Sequence, residues 1–247
     1  KYFGARFSAR PLPQLELGLS RISQWGGDTL DNGLDAFTDM LLLDDKMNSD
    51  NMAAVDLTFH TTLFDRPFSF YTELADDNNG GNLSKPLQLY GVRTFFGHTS
   101  AVHTLNLEWS DTYIRCEDAL TAGHCAYEGD IYPQGYRRYG RAFGTSYDND
   151  SKALNLGMLT QLDSSTSWHN KLAWLRLNVD GARVDLPSQW TQTQLPARTV
   201  LAWRTEQQWR EEADEVKWGL EFSHTTFKAD DSNDWQTELF VKWQRLF

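Results

Sequence analysis

Residues 234–247 read DWQTELFVKWQRLF, a stretch in which apolar and polar side chains alternate. In an extended chain, one face would carry these mostly apolar side chains: Trp235, Thr237, Leu239, Val241, Trp243 and Phe247. A period of two is typical of a β-strand whose two faces meet different surroundings. Globular strands have about five to six residues, whereas a tilted strand that crosses a bilayer needs about ten. The stretch therefore predicts a membrane-spanning strand.

The same alternation recurs along the chain, for example from Val55 to Leu63 and from Ala101 to Trp109. We assign eleven strands, near residues 2–10, 15–25, 53–64, 68–75, 86–96, 101–113, 151–162, 167–178, 197–209, 214–225 and 234–247. This pattern predicts an all-β fold, an antiparallel transmembrane β-barrel of the outer-membrane type. A soluble β-sandwich is the alternative, because its strands also have unlike faces.

Connections of alternating length join these strands. The short ones are 11–14, 65–67, 97–100, 163–166 and 210–213, and the long ones are 26–52, 76–85, 111–150, 179–196 and 226–233. Short periplasmic turns and long outer loops are typical of outer-membrane barrels, and a β-sandwich has no reason to alternate them. Residues 136–143 also have strand character, but a strand there would reverse the direction of every later one. We therefore assign them to a single outer loop, 111–150.

The strand count and the last residue give expectations about the chain ends. A terminal aromatic, Phe247, after an amphipathic strand resembles the assembly signal of outer-membrane proteins, so we expect a native C-terminus. Bacterial single-chain barrels have even strand numbers, so eleven strands predict at least one more before Lys1. We therefore expect residues 1–247 to form a single barrel domain that is truncated at its N-terminus.

The composition narrows the classes of function. The chain has 23 Lys and Arg against 34 Asp and Glu, a net charge of −11, whereas a nucleic-acid partner requires a basic surface. No aliphatic run exceeds four residues, as in Met40 to Leu43, far short of the roughly 20 apolar residues of a membrane-spanning helix. The aromatic content is 13%, which suits a barrel that displays rings to lipid and also suits a soluble core.

The two cysteines, Cys116 and Cys125, lie in a polar stretch of the longest outer loop, and His124 adjoins the second. In an oxidising compartment they predict a small disulfide-closed loop. A zinc site is the alternative, but the chain has no CxxC pair and offers only one histidine here.

Four blocks resemble, in order, the Wzi family of capsule assembly proteins. The most specific is residues 15–27, LELGLSRISQWGG. It is followed by residues 108–112, EWSDT, by residues 135–141, GYRRYGR, and by residues 148–151, DNDS. The matches run from Leu15 to about Leu162, and the stretch around Cys116 departs from the family pattern.

The resemblance implies a barrel of roughly eighteen strands in the outer membrane of a Gram-negative bacterium, of which this chain would supply about eleven. Proteins of the family act as surface lectins that help attach capsular polysaccharide to the cell, and their outer loops close the pore. The resemblance thus implies capsular polysaccharide and outer-membrane lipid as partners. We expect a monomer that uses no cofactor and is not an enzyme.

A lectin needs rings that stack on sugars and fixed hydrogen-bonding groups, and an anionic sugar also needs Arg or Lys. The candidate polysaccharide-binding residues are Tyr136, Arg137, Arg138, Tyr139, Arg141, Asp148, Asp150, Trp25 and Asp28. An equally weighted alternative is that the loop arginines pair with Asp111, Asp148 and Asp150 and pack the loop over the barrel mouth. For Trp25, an aromatic at the membrane interface is the favoured alternative.

Other functions receive less support. The Asp-rich stretches at 28–50, 76–77 and 230–234 lack the spacing of a twelve-residue calcium loop, so we expect solvated loops and no metal. An outer-membrane lipase would need a histidine with a serine beside it and a further polar group that orients the histidine. No recognisable pattern of this kind surrounds His60, His103 or His224. A general porin is the main alternative, because a polar lumen is the usual interior of a wide barrel.

Overall fold

A computed structural model describes the chain in segments. The described residues are 1–27, 33–35, 37–38, 49–76, 86–98, 101–114, 126–127, 132, 135–138, 141–181 and 196–245. No helix within these ranges is long and apolar enough to cross a membrane.

Eleven long strands form one antiparallel sheet. They are β1 (Tyr2–Leu12), β2 (Leu15–Trp25), β3 (Ser49–Leu63), β4 (Arg66–Asp76), β5 (Leu87–His98), β6 (Ala101–Asp111), β9 (Ser151–Gln161), β10 (Thr166–Leu177), β11 (Arg198–Glu211), β12 (Asp214–Phe227) and β13 (Asn233–Arg245). Two short strands, β7 (Arg137–Arg138) and β8 (Arg141–Ala142), pair only with each other. Each long strand pairs with the next one in sequence, and β1 and β13 are the edges of the sheet.

The pairing of β6 with β9 confirms the eleven-stranded sheet that the alternation predicted. Within the stretch 136–143, Arg137–Arg138 and Arg141–Ala142 have the extended backbone that their sequence suggests, but they form a separate two-stranded sheet within the connection between β6 and β9. Inserting them into the sheet would have reversed β9 to β13, and the observed order has no such reversal.

The start of β3 differs from the prediction. The strand begins at Ser49, and Met52 pairs with Ile22 on β2. The alternation fades here because apolar side chains occupy both faces: Met52 and Ala54 on one, Ala53 and Val55 on the other. Part of the connection predicted at 26–52 is therefore strand.

The two faces of the sheet differ as the alternation predicts. On β3, Leu57 and Phe59 are exposed on the convex face, while Asp56 and Thr58 point to the concave face. On β13, Leu239 has 75% of its surface exposed in the same convex band. An apolar surface that spans eleven strands far exceeds the few hundred Å² that a water-exposed protein tolerates, which identifies the convex face as the lipid-facing one.

Candidate functional site

The connection between β6 and β9 turns inward and lies against the concave face. Tyr127 and Tyr136 are almost completely buried in an apolar cluster with Met52, Ala75 and Leu87 on β3, β4 and β5. These three wall residues lie at the strand ends that the long connections join. The loop therefore covers the outer end of the concave face, which explains why that part of the wall is apolar.

Hydrogen bonds attach the loop to widely separated strands. The Tyr2 hydroxyl on β1 donates to the carbonyl oxygens of Gly135 (3.4 Å) and Arg137 (3.3 Å). The Tyr2 ring also meets Phe143 edge-on, with the ring centroids 4.8 Å apart. At the other end of the loop, the Tyr147 hydroxyl donates to Oδ1 of Asn155 on β9 at 2.8 Å. The loop thus bridges the concave face from β1 to β9.

A buried ion pair holds the loop together. The Arg137 guanidinium donates to the Asp148 carboxylate through Nη2 (2.6 Å) and Nε (2.9 Å). Only 2% and 6% of the two side chains are exposed. This arrangement is the pairing of loop arginine with loop aspartate that the alternative describes, and neither side chain is presented at the surface.

Asp150 also supports the loop and is inaccessible to a ligand, since its side chain is completely buried. Its backbone carbonyl accepts a hydrogen bond from the Val179 amide (3.2 Å), and its carboxylate accepts one from the Asp180 amide (3.4 Å). Burial, and secondarily the charge of Asp180, raises the pKa of the Asp150 carboxyl to about 8. Like Arg137 and Asp148, Asp150 is thus buried within the loop and is not presented at its surface.

The raised pKa of Asp150 makes the docking of this segment depend on pH. The folded carboxyl binds its proton more tightly than an exposed one, so stability is greatest at low pH, falls as pH rises from about 4 and levels off above about 8. Hydrogen exchange of residues 148–151 should therefore be faster at pH of about 9 than at about 5, after correction for intrinsic rates. Asp150→Asn should remove this difference, and an unchanged difference in that variant would show that another group titrates.

The remaining candidates have varied surroundings. Arg138 and Arg141 are exposed on the hairpin β7–β8, and 45% of the Phe143 surface is exposed next to them. Trp25 lies half-buried at the end of β2, with the Lys1 ammonium 4.4 Å from its ring centroid. Tyr139, Asp28 and the two cysteines, Cys116 and Cys125, lie outside the described residues.

Beneath the loop, the concave face encloses a cavity of about 1000 Å³. Its polar lining comes mainly from sheet residues: Ser20, Glu73, Asn106, Glu108, Asn155, His169, Lys171, Arg204 and Glu206. Tyr136, Phe143 and Tyr147 contribute rings from the loop. The sequence argument missed the sheet residues, although the alternation itself places their side chains on the polar face at the loop-covered end.

The chemistry of this lining suits hydrogen bonding to a polyhydroxylated ligand. It combines carboxylates, which accept hydrogen bonds from hydroxyl groups, and amides, which donate and accept, with aromatic rings and three cationic side chains, Arg21, Lys171 and Arg204. Within the part of the chain that the structure describes, no three His, Cys, Asp or Glu side chains are grouped to hold a metal ion. The arrangement is that of a binding cavity.

The apolar convex face, the polar concave face and the inward loop define an outer-membrane β-barrel protein. The family model for the capsule assembly protein Wzi matches residues 1–238. The chain therefore belongs to the Wzi family of capsule assembly proteins, located in the outer membrane of Gram-negative bacteria.

Two similar proteins are informative. A solved outer-membrane protein of Escherichia coli, Wzi, described as a carbohydrate-binding β-barrel involved in group 1 capsule assembly, superposes with a TM-score of 0.76 at 20% identity. The match covers 98% of this chain and 50% of the other. An uncharacterized 55.8 kDa protein of the Klebsiella pneumoniae cps region is 28% identical over 127 residues, 49% of this chain and 24% of that protein. The chain thus spans half or less of these relatives.

Proposed function

We propose that this chain is the part of an outer-membrane protein that binds capsular polysaccharide at the cell surface and helps to assemble or anchor the capsule. The role is binding, with no chemical step. The Wzi family is one of capsule assembly, and the structurally similar Escherichia coli protein binds carbohydrate. Both observations support a lectin role for this barrel.

The observation that carries the proposal is the inward fold of the β6–β9 loop. It places aromatic rings in the lining of a cavity with polar walls, and the same loop carries the exposed cations Arg138 and Arg141. A polysaccharide at the loop can contact Arg138 and Arg141, whose side chains are exposed, and can reach the partly exposed ring of Phe143 in the cavity lining. Arginine offers a planar fork that fits hydroxyl pairs and carboxylates, and an exposed ring can stack on a sugar face.

A double substitution tests this role. In the full-length protein, Arg138→Ala with Arg141→Ala should weaken polysaccharide binding about tenfold or more, since hydrogen bonds to charged groups contribute about 1.5–3 kcal/mol each. Capsule retained on the cells should fall accordingly, while the heat-modifiable gel migration of the barrel stays unchanged. Both quantities are measured in cells that produce only the variant.

Arg10→Ala is the matched control for that experiment. Arg10 is a concave-face arginine of β1 with 60% of its side chain exposed, paired with Glu16 next to the turn opposite the loop. It should leave capsule retention at the wild-type level. Full retention in the double variant would remove these two arginines from the binding surface.

An open porin is the second candidate, and the charged groups on the concave face favour it. The two roles differ in conductance. A barrel whose loop lies against the inner wall should conduct ions poorly in planar bilayers, and deletion of residues 128–147 should raise the conductance. A wild-type conductance as high as that of the deletion variant would favour the porin.

A further inference from the structure

Lys171 is a cation at the centre of the concave face. It lies on β10, directly opposite Gly157 on β9 and Arg204 on β11. Its side chain is exposed to the cavity beneath the loop. The ammonium donates a hydrogen bond to the Tyr147 hydroxyl (3.3 Å) and lies 5.8 Å from the centroid of that ring.

The charge of Lys171 is not balanced locally. Its cross-strand neighbour Arg204 is also a cation, and like charges directly opposite on a sheet destabilise it. Arg204 has two carboxylate partners, Glu206 at 2.8 Å and Glu221 at 3.2 Å. No carboxylate in the described ranges forms an ion pair with Lys171. Lys171 therefore presents to the cavity an ammonium that has no ion-pair partner among the described residues.

The wall next to this ammonium consists of small side chains and amides. Gly157 has no side chain, and a Cβ there would lie 2.5 Å from Oδ1 of Asn106, so the Asn106 amide lies across the glycine. Ala173 and Ala202, the next concave-face residues on β10 and β11, are also small and lie opposite each other. Around Lys171, amides and small side chains thus line the cavity wall.

Tyr147 holds this arrangement in place. Its ring packs against the buried cluster of Ala153, Ala173 and Leu175 at the loop-covered end of the wall. Its hydroxyl donates to Oδ1 of Asn155 at 2.8 Å and accepts from Lys171. The ammonium is therefore fixed in direction, and it still has two of its three donor protons for a ligand.

The geometry points to a subsite for the carboxylate of an acidic sugar, formed by Lys171, Tyr147 and Asn155. This inference rests on the proposed function and adds the charge class of the polysaccharide. A single ammonium matches the single charge of a carboxylate, whereas a phosphate monoester carries more charge than one ammonium balances. The amides of Asn106 and Asn155 can hydrogen-bond to the hydroxyls of the same sugar.

The test compares two forms of one ligand. The probes are capsular polysaccharide fragments from the cells that make this protein, either native or with their carboxyl groups reduced to primary alcohols. Binding to the full-length protein in detergent is measured by calorimetry. We expect Lys171→Met to weaken binding of the native fragments about tenfold or more and to leave binding of the reduced fragments unchanged. Lys171→Arg should retain most of the affinity.

Lys217→Met is the matched control. Lys217 lies on the same face of β12 but pairs with Glu215 at 3.1 Å, away from the cavity, so this variant should bind like the wild type. Unchanged binding of the native fragments to Lys171→Met would overturn the subsite. Equal wild-type binding of native and reduced fragments, or a capsule without carboxylates, would overturn it and leave the lectin role intact. If the wild-type protein bound neither form of the fragments, both the subsite and the lectin function would be overturned.

Discussion

Leu57→Arg and Leu239→Arg are each expected to destabilise the assembled barrel by about 2–4 kcal/mol, the cost of an arginine on the lipid face near the bilayer midplane. Leu57 and Leu239 lie on the convex face of β3 and β13, with 36% and 75% of their surfaces exposed. Their side chains would meet hydrocarbon, which cannot solvate a guanidinium. The measurement is the folded fraction in urea titrations with vesicles, alongside the amount of heat-modifiable barrel in cells.

Thr58→Arg is the matched substitution on the opposite face. Thr58 adjoins Leu57 on β3 but points to the polar concave face, opposite Glu16 on β2 and Tyr71 on β4. Water and the neighbouring carboxylate can accommodate the added charge, so this variant should assemble like the wild type. If Leu57→Arg and Thr58→Arg destabilised the barrel equally, both faces of β3 would be shielded from water. The assignment of the convex face to lipid would then be wrong.

Arg137→Ala is expected to release the β6–β9 loop from the wall. The substitution leaves Asp148 buried without its cation, and breaking a buried ion pair typically costs about 3–5 kcal/mol. Because the loop docks on a preformed sheet, the loss should be local. Protease added to intact cells should cut within residues 128–147, single-channel conductance should rise, and the barrel itself should keep its heat-modifiable migration.

Two further variants test whether the burial of the Arg137–Asp148 ion pair explains the release of the loop. Arg10→Ala breaks an exposed pair with Glu16 on the same face, and exposed pairs contribute only about 0–1 kcal/mol, so the loop should stay protected. Arg137→Met combined with Asp148→Leu removes both buried charges and should restore much of the protection. If the double variant did not regain protection of the loop, removing both buried charges would not be enough. The loop would then depend on the hydrogen bonds between Arg137 and Asp148.

The strands could be read from the sequence because each face of the wall meets a uniform medium. Hydrocarbon on one side and water on the other impose a period of two along all eleven strands, and β3, β6 and β13 show it plainly. The prediction failed where the medium changes. At Met52 and Ala54 the concave face is covered by loop tyrosines instead of water, so the polar half of the alternation disappears.

The loop was less predictable, because its composition is compatible with two orientations. Tyrosines and arginines serve equally well on a loop that points outward to sugar and on one that packs inward. Arg137 and Arg138 are neighbours in the sequence. Arg137 is nevertheless buried in an ion pair with Asp148, whereas Arg138 is exposed. The sequence provides both arginines and the aspartate, and only the three-dimensional path of the loop decides which arginine is buried with Asp148.

The cavity lining was also missed as a site. Asn106, Asn155 and Lys171 appear in the sequence as ordinary polar residues of alternating strands, like all others on the concave face. What distinguishes Asn155 and Lys171 is their hydrogen bonds with the hydroxyl of Tyr147, a residue of the loop. Such a site depends on long-range contacts and carries no local signature.

The attachment of the β6–β9 loop to Tyr2 sets an order of events during folding. The hydrogen bonds of the Tyr2 hydroxyl join residues 133 and 135 positions apart, so their formation must wait until the intervening strands have aligned. The strands of the sheet each pair with the next long strand in the chain, so they can pair one after another without waiting for such distant contacts. We therefore expect a sheet-complete intermediate with the loop undocked, in which residues such as Tyr136 and Arg137 are transiently accessible. The slowest kinetic phase should then report on tyrosine burial, after strand formation is complete.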